Sequence, residues 1–279
     1  MSRHFSAVVL LERPVGVDID ALAQMVMEHF PTIGPVEPVM GQQGPGSSGL
    51  LRIEGGHIVV TVTPNPYPDD KLFPRLQLLR SWDPVSAIAS HEAYLTISCG
   101  GGLSGVDGAE AYAAAVHFVA GAATRLMSAT AVFWQRGFVL SDPVDFYDSS
   151  KTLLKGRMPV GAWISFASVV PKGYAPTSAL GMVTYGMRQF IGREIELAPR
   201  PGNARAAYNC LVAVVRNTLD KGEALADGQR FLTAGASSLP LTVRERTFWL
   251  RRDQSAFVLV SDDSVVDMDT LRPRERPAA

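Results

Sequence analysis

Three times along the chain, an apolar strand pattern is followed by an amphipathic helix pattern and then by two short strand patterns. The first strand runs from Ala7 to Leu11, where consecutive apolar residues are typical of a strand buried on both faces. Because the helix patterns are short and alternate with hairpins, they favour an α+β fold with mixed, largely antiparallel sheets and helices packed on one face. The patterns share an order of elements but no sequence repeat.

The first helix is predicted to start at an N-cap of Asp18 or Asp20 and to end at Phe30, before Pro31. A later helix is predicted to run from Gly108 to about Met127 behind an Asp107 cap. The other predicted elements are a loop over 41–49, a hairpin of 50–53 with 58–63, strands 91–98, 131–134, 138–140 and 160–170, helix 204–219, and a closing hairpin of 241–250 with 257–260.

The predicted elements fall into two structured regions and a flexible tail. We predict an N-terminal α+β region over 1–150, a C-terminal α+β region over 151–262, and a flexible tail over 263–279. The tail alternates acidic and basic residues with little to bury, so it is expected to fray.

Composition restricts the class of protein. Among 279 residues, 47% are hydrophobic and 19% charged, which is a globular balance rather than a disordered one. A net charge of −1 gives no global field for nucleic acid or anionic lipid. The two cysteines, Cys99 and Cys210, are far apart, which argues against a disulfide framework or structural zinc. The apolar run 6–11 is too short for a secretion signal, and no window reaches the roughly 20 apolar residues of a membrane span, so a cytoplasmic location without membrane partners is expected.

A glycine-rich turn is the first candidate for chemistry. Gly100 to Gly105 matches G-x-G-x-x-G between a predicted strand and a predicted helix, the context of a dinucleotide loop. Against this interpretation, an Asp107 cap leaves Gly105 outside the helix, Arg125 stands where a ribose-binding acid belongs, and the flanking hairpins do not form a β-α-β pattern. A turn that only frees the backbone is the preferred interpretation. An enzyme that binds a nucleotide or another small ligand at this turn is an alternative.

Cysteine, histidine and aspartate chemistry is weakly supported. Cys99 could be a nucleophile activated by His91 or His117, but a buried, inert thiol and a core histidine are the preferred interpretations. The five histidines lack metal-ligand spacing. The triplet Asp142, Asp145 and Asp148 is interpreted as a solvated acidic loop. No catalytic residue, metal ligand or cofactor is therefore predicted.

The closing hairpin is a candidate for nucleic-acid binding. It carries four arginines with an interleaved aromatic, Trp249, which could contact a phosphate backbone and stack on a base. Glu245 and Asp253 offset the charge, and edge strands often carry charges to resist aggregation. Nucleic acid is kept as an alternative partner rather than the expected one. The arginines are Arg244, Arg246, Arg251 and Arg252.

The most specific segment is 184–197, in which glycines and an aromatic precede Glu194-Ile195-Glu196. If Arg193 to Leu197 is a strand, its two glutamates share one face. They could act as acid and base, but an acidic face toward water is the preferred interpretation. The residues that we select as candidates for interaction are Trp163, Tyr185, Arg188, Glu194, Glu196 and Trp249.

This segment carries a resemblance. Gly186-Met187-x-x-Phe190-x-Gly192-x-Glu194-Ile195-Glu196, the Ala-rich helix 204–219 and Leu225-x-Asp227-Gly228 resemble the C-terminal region of a bacterial family, domain of unknown function 4261. The resemblance lies mainly within 177–230. It implies a bacterial cytoplasmic protein, and it transfers no catalytic residue because the family has no assigned activity.

These observations favour a non-enzymatic bacterial protein that binds another protein. It would be an adaptor, or an inhibitor of immunity type acting on a toxin or secreted effector. The motive is an abundance of predicted sheet and aromatic surface, including Tyr147, Trp163, Tyr174 and Trp249, without a coherent catalytic constellation.

Overall fold

The computed structural model describes residues 3–41, 46–68, 72, 82–101, 105–171, 175, 179–231, 240–247, 255–261, 264, 266–267 and 272–273. The chain divides into two compact units, with the division after Ser165. The predicted boundary between residues 150 and 151 lies instead within a helix, Pro143–Leu154. Tyr174, Trp249, Arg251 and Arg252 lie outside the described residues.

The first unit contains a seven-stranded sheet and most of the helices. Its strands are β1 (Arg3–Leu11), β2 (Glu37–Gly41), β3 (Ser48–Ile53), β4 (Gly56–Thr63), β5 (Ala93–Gly101), β6 (Ala129–Trp134) and β7 (Val139–Ser141). Its helices are α1 (Ile19–His29), α2 (Pro84–Ala89), α3 (Gly105–Leu126), α4 (Pro143–Leu154) and α5 (Val160–Trp163), with a short 3-10 turn over Pro31–Ile33.

The strands of this sheet lie in the order β2-β3-β4-β5-β1-β6-β7. β1 is antiparallel to both β5 and β6, so β5 and β6 are parallel to each other with β1 between them. α3 connects β5 to β6, and α1 lies in the connection from β1 to β4. This is the split β-α-β arrangement, extended by β2 and β3 at one edge and by β7 at the other.

The two faces of the first sheet are covered differently. Ala7 pairs with Trp134, which contacts His117 of α3, so α3 packs on the Ala7 face. On the other face, Val8 packs with Ile88 of α2 in one apolar cluster. Strand pairing also puts Gly49 on the Ala7 face, and a Cβ atom at Gly49 would overlap Ile19 of α1. Helix α1 therefore packs on the same face as α3.

Aspartate caps begin three of these helices. Asp18 accepts the N–H of Ala21 at 2.9 Å, as expected for the first helix. Asp142 accepts the N–H groups at the start of α4, with Pro143 in the first turn. The prediction that Asp142, Asp145 and Asp148 form a solvated acidic loop is therefore wrong, because Asp142 is an N-cap and the other two lie on a helix. Asp83 caps α2 in the same way.

The second unit contains a six-stranded sheet in the order β11-β12-β13-β10-β9-β8. The strands are β8 (Ser165–Val169), β9 (Leu180–Tyr185), β10 (Glu194–Arg200), β11 (Arg230–Phe231), β12 (Leu241–Thr247) and β13 (Ser255–Val260), and the helices are α6 (Arg188–Ile191) and α7 (Ala204–Asp220). β9 is antiparallel to β10, and β12 is antiparallel to both β11 and β13. β10 and β13 are parallel, with α7 in the connection between them. Two short strands, β14 (Val266–Asp267) and β15 (Arg272–Pro273), pair within the predicted tail.

Helix α7 lies on one face of the second sheet. Its Tyr208 contacts the ring of Phe166 at a centroid distance of 5.1 Å. Val169, three residues after Phe166 on β8, belongs to a cluster on the opposite face, together with Val183 and Val258. Since side chains alternate along a strand, Phe166 and Val169 point to opposite faces, and α7 covers the Phe166 face.

The α+β fold with largely antiparallel sheets is confirmed, as are the first helix, helix 204–219 and both predicted hairpins. Long helices pack on one face of each sheet, whereas α2 lies on the second face of the first sheet. The predicted strand over 160–170 is partly wrong, because α5 occupies its first four residues. Strand β2 and helices α2 and α4 have no counterpart among the predicted elements.

Candidate functional site

Three backbone N–H groups and one hydroxyl converge on the carboxylate of Glu194, the first residue of β10. The hydroxyl of Thr184 donates to it at 2.8 Å. The N–H donors are Gly186 at 3.0 Å, Met187 at 3.0 Å and Arg188 at 3.3 Å. Burial raises the pKa of the Glu194 carboxyl above its ordinary value, although each of these hydrogen bonds favours the charged form. The carboxylate joins the end of β9 and the start of α6 to β10.

The remaining residues of this segment complete the same connection. Thr184 accepts the N–H of Ile195 at 2.8 Å, so its hydroxyl proton is available to Glu194. Gly192 ends α6 in the left-handed conformation at φ 82°, which a residue with a Cβ atom rarely adopts. The order of residue types in 184–197 is therefore explained by a β9-α6-β10 connection with an internal carboxylate cap.

The prediction of an acidic face toward water is wrong. Glu196 is only 1% exposed, and the cross-strand partners of Glu196 are Val183 and Val258 of the apolar cluster. Glu194 is partly buried and holds backbone donors. Of the other candidates in this segment, Tyr185 is partly buried against the same cluster, and Arg188 is exposed.

Trp163 lies in a buried network around His117. The indole N–H donates to Nδ1 of His117 at 3.1 Å, so Nδ1 carries no proton. Nε2–H then donates to Ser149 at 3.0 Å, and the Ser149 hydroxyl donates to the carbonyl of Phe146 at 2.6 Å. Burial lowers the pKa of His117 to about 3. Trp163 is fully buried, so the expectation that it contributes to an exposed aromatic surface is wrong, whereas a core histidine at 117 is confirmed.

Cys99 is buried near the end of β5, and burial raises the pKa of its thiol to about 12. A thiol with this pKa is protonated at neutral pH, which is the state of an inert cysteine. His91 is engaged elsewhere, since its Nε2 accepts the N–H of Tyr67 at 2.8 Å and its Nδ1 contacts the carbonyl of Ile88. The preferred interpretation of Cys99 is thereby supported.

The glycine-rich turn differs from the expectation in two ways. α3 begins at Gly105, so Asp107 lies within the helix and is not its N-cap. β5 and β6 are parallel strands joined by a helix, although β1 lies between them, unlike the adjacent strands of a dinucleotide fold. Residues 102–104 of the turn lie outside the described residues.

The described part of the basic hairpin is partly neutralised. Arg244 lies 3.9 Å from the carboxylate of Asp227. Glu245 forms an ion pair with Arg193, whose guanidinium lies over the ring of Phe257 at 5.2 Å. Of the two arginines of β12, Arg244 thus lies close to a carboxylate, and the carboxylate of Glu245 is itself paired with an arginine outside the hairpin.

An open apolar row crosses the edge of the first sheet. Met40, Leu50 and Val59 are direct cross-strand partners on β2, β3 and β4. Met40 is 67% exposed and Val59 43%. The neighbouring row carries an ion pair between Glu37 and Arg52 at 3.4 Å. We call the row of Met40, Leu50 and Val59 the open row. It lies on the same face of the sheet as the apolar cluster in which α2 packs on β1 and β6.

A depression of about 240 Å³ lies beside this edge, between the start of α1 and β2. Two aspartates line it: Asp18 is the N-cap of α1, and Asp20 lies in the first turn of that helix. The lining residues are Val17, Asp18, Ile19, Asp20, Pro38, Val39, Met40 and Gly41. Edge strand β2 therefore borders both the depression and the open row.

Among the described residues, no three His, Cys, Asp or Glu side chains lie close enough to hold a metal ion. None of the helices in the described ranges has the length and apolar content needed to cross a membrane.

The chain matches no protein-family model, and neither a curated protein nor a solved structure is significantly similar to it. The resemblance of 177–230 to the bacterial family of unknown function stays a prediction.

Proposed function

We propose that this chain is a non-enzymatic protein-binding module of the bacterial cytoplasm, acting as an adaptor or as an inhibitor of a toxin or secreted effector. The observation that carries the proposal is the open row. Three apolar side chains on adjacent strands form one continuous strip at the edge of a well-packed sheet. The exposure of Met40 and Val59 leaves apolar surface in water that a partner would cover.

The surroundings of the open row fit a protein partner. The Glu37–Arg52 ion pair forms a polar margin on one side. On the other side, Ser48 and Thr61 are cross-strand partners. An apolar centre with a polar rim is the usual composition of a protein interface. The bulge in β2 and its Pro38 make edge-to-edge strand pairing unfavourable, so the sheet face is the surface offered.

The side chains with catalytic potential support the same proposal. The Glu194 carboxylate accepts three backbone N–H groups. Both ring nitrogens of His117 are hydrogen-bonded, one to Trp163 and the other to Ser149. Cys99 is a buried, protonated thiol. Glu194 and His117 thus have structural hydrogen bonds, and the Cys99 thiol is held in its unreactive form.

Affinity capture with the full chain tests the proposal. The wild-type protein and a Met40→Lys/Val59→Lys double variant would be immobilised and exposed to lysate of the source cells. We expect the wild type to retain a partner in stoichiometric amount and the double variant to lose at least about tenfold of it, because truncation of central apolar contacts commonly costs 1 kcal/mol or more each.

The matched control is Val144→Lys, since Val144 is 59% exposed on α4, away from the open row. This variant should retain the partner as the wild type does. Equal capture by all three proteins would contradict a role for the open row, and the absence of any enriched partner would contradict the proposal itself. Circular dichroism of each variant establishes that the fold is kept.

A further inference from the structure

We infer a binding site for a phosphate-type oxyanion in the second unit, at the carboxyl end of the parallel strands β10 and β13. Three features meet at this end: the side chain of Arg200, the first turn of α7 and the serines that follow β13. β10 leads directly into α7, with only two residues between Arg200 and the Asn203 cap. Ligands of α/β units commonly bind beyond the carboxyl ends of parallel strands.

Arg200 supplies a buried positive charge. The residue is 6% exposed, and among the described residues its Nη1 atom has no hydrogen-bond partner. A buried guanidinium nitrogen without an acceptor is costly, because its hydration is lost without compensation. An anion bound beside Arg200 would offset this cost.

Strand register directs the Arg200 side chain toward α7. Leu197 pairs with Met182 and, after a bulge, Arg200 pairs with Leu180. Cross-strand partners share a face, so Arg200 points to the same face as Leu197 and Met182. This face is opposite to the cluster of Val183 and is the one that α7 covers. The guanidinium therefore lies on the side of the sheet where α7 begins.

The first turn of α7 supplies backbone donors. Asn203 accepts the N–H of Ala206 at 2.9 Å. The N–H groups of Ala204 and Arg205 have no acceptor within the helix, because they belong to its first turn. α7 is 17 residues long, so its N-terminus carries the partial positive charge of a full helix dipole. The first turn of α7 thus offers backbone N–H donors and a positive partial charge a few residues after Arg200.

Two buried hydroxyl residues lie at the end of the neighbouring strand. Ser261 follows β13 and continues its alternation on the α7 face, since Val258 and Val260 belong to the opposite cluster. Ser264 is buried beside it, with its hydroxyl oxygen accepting the N–H of Ser261 at 3.0 Å. β13 pairs with β10 in parallel register, Leu259 opposite Leu197, which brings the end of β13 next to that of β10.

The combination selects a tetrahedral oxyanion. A guanidinium fork binds two oxygens at once, helix N–H groups bind a third, and the Ser264 hydroxyl can donate to the remaining one. Inorganic phosphate and the terminal phosphoryl group of a nucleotide share this chemistry. A carboxylate would leave part of the donor set unused.

The test is thermal unfolding and calorimetric titration of the full chain in a phosphate-free buffer. Inorganic phosphate and ADP are added separately, with sodium chloride adjusted to keep the ionic strength constant. We expect phosphate to raise the Tm of the wild type. A lower Kd for ADP assigns the phosphoryl group of a nucleotide, and a lower Kd for phosphate assigns the free ion.

Arg200→Met removes the charge at similar length and should fold, because an apolar group replaces a buried ion. We expect its affinity for phosphate to fall at least about tenfold. Arg216→Met is the control with the same change in net charge, because Arg216 is exposed on α7. This variant should bind phosphate as the wild type does. If Arg200→Met does not fold, Arg200→Lys is measured instead and should weaken binding while retaining some. No rise in Tm of the wild type, or unchanged affinity in the Arg200 variants, would overturn the inference.

Discussion

Glu194 shows how a residue type typical of the surface becomes part of the interior. A carboxylate is costly to bury unless donors replace its water, and here three N–H groups and a hydroxyl do so. The three N–H donors belong to the start of α6, which is too short to be stable without a cap. Glu194 and α6 therefore depend on each other.

Replacement of Glu194 by Gln should destabilise the second unit by about 1–3 kcal/mol, because an amide offers one acceptor oxygen and turns an NH₂ group toward backbone donors. Urea unfolding followed by fluorescence would measure the change. Glu223→Gln alters an exposed glutamate and should leave the midpoint unchanged. An equal midpoint for Glu194→Gln and the wild type would show that the carboxylate is not needed.

At the scale of elements, the turn between β6 and β7 is determined by a contact with α5. A Cβ atom at Gly137 would overlap the carbonyl oxygen of Trp163. The next residue, Phe138, has a positive φ of 52° and packs beside the α2 cluster. Position 137 thus has room for glycine alone, and the reason is the contact with α5 rather than the conformation of the turn itself.

We expect Gly137→Ala to cost about 1–3 kcal/mol, since backbone must move to admit the methyl group. Gly161→Ala is the matched control, because Gly161 is exposed on α5 with no atom near its Cβ position. That change should be neutral or stabilising by up to about 1 kcal/mol, as alanine favours a helix. Differential scanning calorimetry of both variants decides; a Tm for Gly137→Ala at or above that of Gly161→Ala would contradict the packing argument.

Elements with local signals were predictable. Asp18 and Asn203 precede amphipathic helices, and the turn around Gly55 separates two alternating strands. α4 was missed because its apolar face is weak and its Asp-Pro start resembles a loop signal. α5 was missed because four residues carry too little periodicity to distinguish a helical turn from a strand.

At the scale of the whole molecule, strand order could not be predicted because pairing is non-local: β1 lies between β5 and β6, which are far from it in sequence. The inferred oxyanion site was missed for a related reason. Arg200 is one of many arginines in the sequence, and its significance arises from a bulge in β10 that turns it to the α7 face. The open row was likewise not predictable, because β2, which carries Met40, has no counterpart among the predicted elements and only strand pairing places Val59 in the same row.

The stability of the first unit should depend on pH through His117. The folded state keeps this histidine neutral down to about pH 3, whereas the unfolded chain takes up a proton near its ordinary value of 6.5. The stabilisation is therefore complete above pH 6.5 and is lost as pH falls toward 3, with a slope of up to about 1.4 kcal/mol per pH unit.

Urea unfolding between pH 4 and pH 8 gives the free energy of unfolding of the wild type and of His117→Gln as a function of pH. The difference between the two curves is the contribution of His117. The curves should converge as the pH falls. His57→Gln, at an exposed position, should parallel the wild type. Curves for wild type and His117→Gln that stay parallel throughout would show that His117 is not responsible.

The two cysteines have a further consequence for how the molecule can be studied. Cys99 lies in the first unit and Cys210 in the second, and both are buried. An alkylating reagent can therefore modify each one only when its surroundings open. Mass spectrometry of partly labelled protein would resolve the two sites. The chain thus carries one natural reporter in each unit, and their labelling rates would reveal whether the units open together or separately.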